Sequence, residues 1–428
     1  CNQDIERDMN KKYEPSLMYS SFQKFYSALN NINLFRIENN VFENTSYLDN
    51  FFSEFRNITF VLQNSIPQGR DNPIYQELNL KYFASPGMKW FVEKRVQVIH
   101  KSPISLRRGY MLEVYGISSI ITRDTYFYDD NDLPQEDIQK VIKKLLDSLN
   151  AKAEVNFSLR HYIIDRDSQE EQDMMNLIRE GISTMWQFLD SMRKQLNDTS
   201  SSLVRIEKEI SNLLLKVLYN EIRFVTDYTY HVKEKKLIPA TIYETFFSYP
   251  KNSQKLEVLT KNLPNISINT DNDIDLFRLF LYINIPLYAS GMKDLMSTFF
   301  IVYNDNTFII KSFASSLKST CYRKINEVAD VVKSGKIRAV VFMWECLGYD
   351  ASKTEEILSM TNIERQKLAT IETVEFALVS KQTFKAISFD PARAKDKNYI
   401  SEILQSMKEN PNGALLIPII SAFSELDK

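Results

Sequence analysis

Glycine is scarce in this chain, at 9 of 428 residues, against an average usage of about 7%. Neither G-x-G-x-x-G nor G-x-x-x-x-G-K-[ST] occurs, and phosphate-cradling loops need glycine so that the backbone can approach the ligand. The usual nucleotide-binding enzymes are thereby set aside. Cysteine is also sparse. Cys1, Cys321 and Cys346 are too few and too scattered for a disulfide framework or a zinc knuckle, which points to a reducing compartment. No cofactor and no metal site is expected. Charge of one sign is lacking too: 53 basic residues against 55 acidic ones leave −2, so no global field draws the protein to nucleic acid or anionic lipid. No apolar run approaches the roughly 20 residues that span a bilayer. The first thirty residues carry charge throughout, so neither a transmembrane helix nor a signal peptide is expected. Cytoplasm is the default compartment. A chain opening on Cys1 also fits a lipoprotein anchored through that residue, with a trimmed N-terminus as the simpler explanation.

What is present is ample material for cores. With 44% apolar residues, 22 Tyr and 27 Phe, the chain is not disordered, and its length exceeds what one core usually holds, so two or three domains are expected. Phe22, Phe25, Tyr26 and Leu29, then Phe51, Phe55, Ile58, Leu62 and Ile66, recur at helical spacing. Pro67-Gln68-Gly69 breaks the second helix. Helical stretches at about 72–83 and 88–99 follow, separated by Ser85-Pro86-Gly87 and stopped by Ser102-Pro103. These four helices form a bundle.

Residues 107–128 turn β-branched and aromatic, which predicts a short hairpin or extended connector. The acidic run 129–132 opens a strongly amphipathic helix, with Pro134 in its first turn. Apolar positions from Met174 to Leu196 and from Leu203 to Ile222 predict a long antiparallel helical hairpin joined by the polar loop 197–202. Its Met and Leu stripe reads as core or dimer interface. Beyond Pro239, hairpins at 299–313 and 374–389, a central strand at 337–347 and a closing strand at 414–423 alternate with helices at about 316–334, 354–368 and 396–408. The expected fold is α+β multidomain: a helical N-terminal bundle with its β connector over 1–128, a long-helix region over 129–238, and an α+β domain with a mixed sheet over 239–428.

Three histidines are available for acid–base work. His161 and His231 lack partners at triad or metal spacing and read as structural or exposed. His100 closes Lys94-Arg95-Val96-Gln97-Val98-Ile99-His100-Lys101, an Arg-x4-His spacing at the end of a helix. Histidine titrates near neutral pH and moves protons. Arginine's fork matches phosphate oxygens and offsets developing charge. Pro103 ends the helix close to His100 and lets that side chain turn. From Lys89 to Arg108 there are six basic residues and one acid, Glu93, a local patch that attracts a polyanion.

This segment, with the four-helix region around it over about 16–110, resembles the HEPN superfamily, helical-bundle domains of prokaryotic defence and toxin systems. The family pattern usually has a polar residue where Val96 stands, and an extended version has Tyr where Ser102 stands. The resemblance implies an RNA-binding homodimer whose paired Arg95 and His100 form a composite cleft. It also implies metal-independent endoribonuclease chemistry, in which the 2′-hydroxyl attacks the neighbouring phosphate with His100 as acid or base and Arg95 on the phosphate. Lys94, Lys101, Arg107 and Arg108 are the expected RNA contacts. Arg56-Asn57, a polar pair on an otherwise apolar helix, lines the same cleft or belongs to a solvated face. The C-terminal domain would regulate, or recognise a protein partner. In that domain Glu345, Asp350, Glu355 and Glu356 near Cys346 form a second cluster, for which burial is the simpler role. The alternative to an RNA-acting protein is a non-enzymatic dimeric scaffold.

Overall fold

The computed structural model describes residues 16–36, 39–116, 118–128, 135–149, 153–166, 173–219, 224–247, 269, 271–290, 296–348, 352, 360, 362–368, 371–396, 398–399, 402–403, 408–409 and 414–426. In chain order the helices are α1 (Tyr19–Leu34), α2 (Val41–Ser65), α3 (Pro73–Phe83), α4 (Pro86–His100), α5 (Gln135–Ser148), α6 (Met174–Gln195), α7 (Ser201–Tyr219), α8 (Asp273–Ala289), α9 (Lys318–Lys333), α10 (Asn362–Leu368) and α11 (Ile417–Glu425). The strands are β1 (Leu106–Tyr115), β2 (Ile120–Tyr128), β3 (Glu154–Asp165), β4 (Val225–His231), β5 (Lys236–Pro239), β6 (Ile242–Phe247), β7 (Ser297–Tyr303), β8 (Phe308–Ser315), β9 (Ile337–Gly348), β10 (Ile371–Ser380), β11 (Phe384–Phe389) and β12 (Lys408–Glu409). None of the described helices is long and apolar enough to cross a membrane.

Two compact units divide the chain. The first comprises Cys1–Gly109, Phe127–Leu133 and His161–Phe224; the second comprises Tyr110–Tyr126, Pro134–Arg160 and Val225–Lys428. The division falls inside β1 and β3.

In the first unit, helix boundaries follow from local chemistry. Asn40 and Glu43 form a reciprocal capping box at the start of α2, which satisfies two N–H groups that no helical carbonyl can reach. After Ser65 the backbone turns left-handed at Gln68 (φ +62°) and Gly69 (φ +55°). A Cβ at Gly69 would also stand 3.0 Å from the Gln63 carbonyl oxygen, so glycine is required there. Asn72 and Ser85 cap α3 and α4, each followed by proline in the first helical turn. The core joins Phe22, Phe25 and Ile32 of α1 to Phe51, Phe55 and Leu62 of α2, and these to Ile178, Ile182, Met185 and Leu189 of α6 and to Ile210 and Leu214 of α7. Trp186 stacks on Phe25 at 6.0 Å and meets the Phe22 edge. Gly181 lets the Phe91 ring lie against α6, since a Cβ there would sit 2.1 Å from Phe91 Cε2.

The second unit holds a seven-stranded sheet in the order β12-β11-β10-β9-β7-β8-β6, together with strands of a five-stranded sheet ordered β2-β1-β3-β4-β5. β9 is central and apolar along most of its length because both its faces are covered. Ala339, Val341 and Met343 pack with Leu276, Phe277 and Phe280 of α8. Val340, Phe342 and Trp344 pack with Val328 and Val332 of α9 and Ile419 and Phe423 of α11. Arg323 of α9, with 0% of its side chain exposed, grips Asp227 of β4 through Nε–Oδ1 (2.8 Å) and Nη2–Oδ2 (2.9 Å). Its Nη1 donates to Glu327 at 2.8 Å, Arg160 reaches the same carboxylate at 2.7 Å, and Lys324 meets Glu244 of β6 at 2.6 Å. Three cations and three carboxylates thus close on one another.

The architecture is α+β as the sequence implies, and four particulars differ. The larger sheet is antiparallel where the strand pairs are described, not mixed. A crossover helix, α9, does join two strands of like direction, but β7 lies between them. β3 and β4 fall in a stretch read as helical, and α8 and β6 in stretches assigned no element. Residues 414–423 form a 3-10 turn, Ala414–Leu416, and then α11. Pro418 sits in the first turn of that helix, where its fixed φ suits the helix and no ladder N–H is required of it. The acidic run 129–132 and Pro134, and much of the helices expected at 354–368 and 396–408, lie wholly or partly outside the described residues.

Candidate functional site

Arg95 projects from α4 and Arg56 from α2 into one cleft of about 440 Å³ in the first unit. Its wall is aromatic, with Phe55, Tyr75, Phe83 and Phe91, and the Phe55 and Phe91 rings stack at 4.7 Å. Thr59, Asn79, Lys89 and Glu93 supply the rest of its polar lining. Arg56 Nη1 donates to Thr59 Oγ1 at 3.2 Å. Neither guanidinium has a carboxylate partner among the described residues, and the Arg95 Nε is buried without a hydrogen-bond partner. Burial, and then the neighbouring Arg56 charge, hold Arg95 below the usual guanidinium pKa. Both causes disfavour the cation, so an anion entering the cleft would be attracted by two charges that the fold itself leaves uncompensated.

The remaining sequence candidates separate. His100 is exposed at the last residue of α4 and does not line the cleft. Five residues along an α-helix place it about 7.5 Å further along the axis than Arg95 and about 140° around it. The helix stops there, with Lys101 and Ser102 N–H groups both donating to the Gln97 carbonyl, as Pro103 requires. Lys94 is a correction: it is buried, ion-paired with Asp165 and donating to Gln97 Oε1 at 2.9 Å, so its charge is satisfied inside the fold and is withheld from a surface patch. Lys101 is exposed, while Arg107 and Arg108 on β1 are half-buried. Arg108 borders a water-sized cavity beside His161. Asn57 is half-buried and outside the cleft lining. Lys89, Thr59 and Asn79 join the site without having been singled out in the sequence. The first lies in the basic run, and the others carry no pattern of their own.

His161, His231, Cys321 and Cys346 are structural. His161 is held down to about 3 by burial and then by Arg108. His231 is buried, with Nδ1 at 3.7 Å from Glu234. Burial pushes the Cys346 thiol up to about 11, with Glu375 adding to it, and the Cys321 thiol up to about 12, the wrong direction for a nucleophile. Glu345 is exposed on β9; Asp350, Glu355 and Glu356 lie outside the described residues. Among the described residues no three His, Cys, Asp or Glu side chains are grouped to hold a metal. No protein-family model, no curated protein and no solved structure matches the chain.

Proposed function

We propose that the first unit is an HEPN-like RNA-binding module acting as a cytoplasmic homodimer in prokaryotic defence or toxin function. On this reading it cuts RNA without a metal. Arg95, with Arg56, holds the phosphate, and His100 moves the proton as the 2′-hydroxyl attacks its neighbouring phosphorus and the 5′-oxygen leaves. The observation that carries the reading is the pair of uncompensated guanidiniums facing one aromatic-walled cleft. Such a pair matches phosphate oxygens in fork geometry and offsets the second negative charge that develops on attack, and an aromatic wall accepts an unstacked base. Lys101, Arg107 and Arg108 extend the positive surface.

Arg95 and His100 point to different sides of α4, so a composite site takes one from each protomer. Val92 and Val96, 56% and 36% exposed, form a short apolar stripe on α4 between those two directions, which suits self-association. The same stripe favours the second reading, a dimeric scaffold without catalysis. The second unit would then regulate, or recognise a protein partner. Incubating a mixed RNA pool with the protein in EDTA, beside His100→Ala and Arg95→Ala, separates the readings. Cutting that is lost in both variants is the expected outcome. Equal activity in all three proteins, or none from a folded dimer, would leave the scaffold.

A further inference from the structure

We infer that the Arg56–Arg95 cleft takes a phosphomonoester, the phosphorylated end of an RNA strand or a free nucleoside monophosphate, with the nucleoside seated against the aromatic wall. The strand-end form of this rests on the RNA reading of the same cleft.

Charge is the first argument. Arg56, Lys89 and Arg95 line the cleft against Glu93 alone. An internal phosphodiester brings one negative charge, whereas a terminal phosphate carries about −1.5 to −2 near neutral pH. Two converging guanidiniums are therefore matched by a monoester and over-match a diester. Geometry is the second. A terminal phosphate offers three oxygens and can accept from both forks at once, and the buried Arg95 Nε lacks an acceptor that such an oxygen supplies. Volume is the third. At about 440 Å³ the cleft falls within the usual range of small-ligand sites, roughly 300–1,000 Å³, so one nucleotide fits. Asn79, its Nδ2 donating to the Tyr75 hydroxyl at 3.1 Å, is held on the same wall as an amide for the base or ribose.

The test uses the full chain and short 2′-O-methyl oligonucleotides, which 2′-hydroxyl attack cannot cleave, bearing a 5′-phosphate, a 3′-phosphate or hydroxyls at both ends. Affinities are read by fluorescence anisotropy, with adenosine 5′-monophosphate and adenosine as competitors. One phosphorylated end should bind at least about ten-fold tighter than the hydroxyl-ended strand, the gain expected of one added charge-assisted contact. The monophosphate should compete and adenosine should not. Arg56→Met and Arg95→Met should each erase the difference. Equal affinity for all three strands, still dependent on both arginines, would overturn the monoester inference and leave the RNA reading standing. Arginine-dependent binding of the monophosphate with no strand bound would uphold the monoester and sink the RNA reading. Binding of none of these probes by the wild-type protein would overturn both.

Discussion

Arg95 in the first unit is half-buried and Arg323 in the second fully buried, and their surroundings differ in sign. Burial alone would lower the Arg323 pKa, but Glu327 and Asp227 outweigh it and raise that pKa well above the ordinary value. Glu327 is driven the other way: burial would raise it, and Arg323, Lys324 and Arg160 pull it well below the carboxylate range. For Arg95, burial and Arg56 act together to lower it. A buried cation whose neighbours restore its charge is part of the scaffold. One whose neighbours disfavour its charge, as Arg56 does that of Arg95, gains nothing from the fold for that charge, and groups perturbed in this way cluster at functional sites.

The largest effect that sharpens this contrast is expected from Arg323→Met, which strands the fully buried Asp227 carboxylate, while Glu327 keeps Arg160 at 2.7 Å. Urea unfolding should show a loss of about 3–5 kcal/mol, with RNA binding by the folded protein unchanged. A loss below about 1 kcal/mol would mean that the network is solvated and weak.

Gly181→Ala comes next. The added Cβ would collide with the Phe91 ring at 2.1 Å, so ring or helix must shift at a cost of about 2–3 kcal/mol. Because Phe91 also forms the cleft wall, the same variant should bind RNA more weakly, unlike Arg323→Met.

Acid separates the units in a third way. His161 has a folded-state pKa of about 3, against an ordinary value of 6.5, so the unfolded chain takes up its proton first. The stability contributed by its neutral form is complete above 6.5 and is lost as pH falls toward 3. By pH ~5, above most carboxylate titration, the loss should reach about 2 kcal/mol. A His161→Gln variant should show a flatter profile over that window in pH-dependent unfolding. An unchanged slope would show that His161 is protonated in the fold.

The smallest effect has the opposite sign. Arg56→Met relieves the repulsion on Arg95, and thermal unfolding should show stability unchanged or raised by up to about 1 kcal/mol.

Much of the first unit was legible because its helices carry apolar residues at regular spacing and end at proline, glycine and capping residues that act locally. Asn40 with Glu43, Gln68-Gly69 and Ser102-Pro103 set boundaries without help from distant contacts. β4 was not legible, because its inward side holds Asp227, Thr229 and His231. The strand faces Arg323 rather than an apolar layer, so the alternation that betrays a half-buried strand is absent. In the closing segment a short apolar run fits a strand or a buried helix equally, and Pro418 is what tips it to helix. In the site, Arg56 was left open between the cleft and a solvated face, because helical spacing alone does not say which face of α2 meets α4. The burial of Lys94 was not anticipated, because its partner Asp165 lies 71 residues away and no local pattern links them. Thr59 and Asn79 were likewise invisible, since only the folding together of α2, α3 and α4 brings them to one wall.

The most direct measurement is RNA affinity and urea stability determined side by side for wild type, Arg95→Met and Arg323→Met. Arg95→Met should lose RNA binding while keeping wild-type stability or gaining slightly, and Arg323→Met should do the reverse. RNA binding that survives Arg95→Met, or a stability loss in that variant as large as the one in Arg323→Met, would contradict the assignment of the cleft as a ligand site.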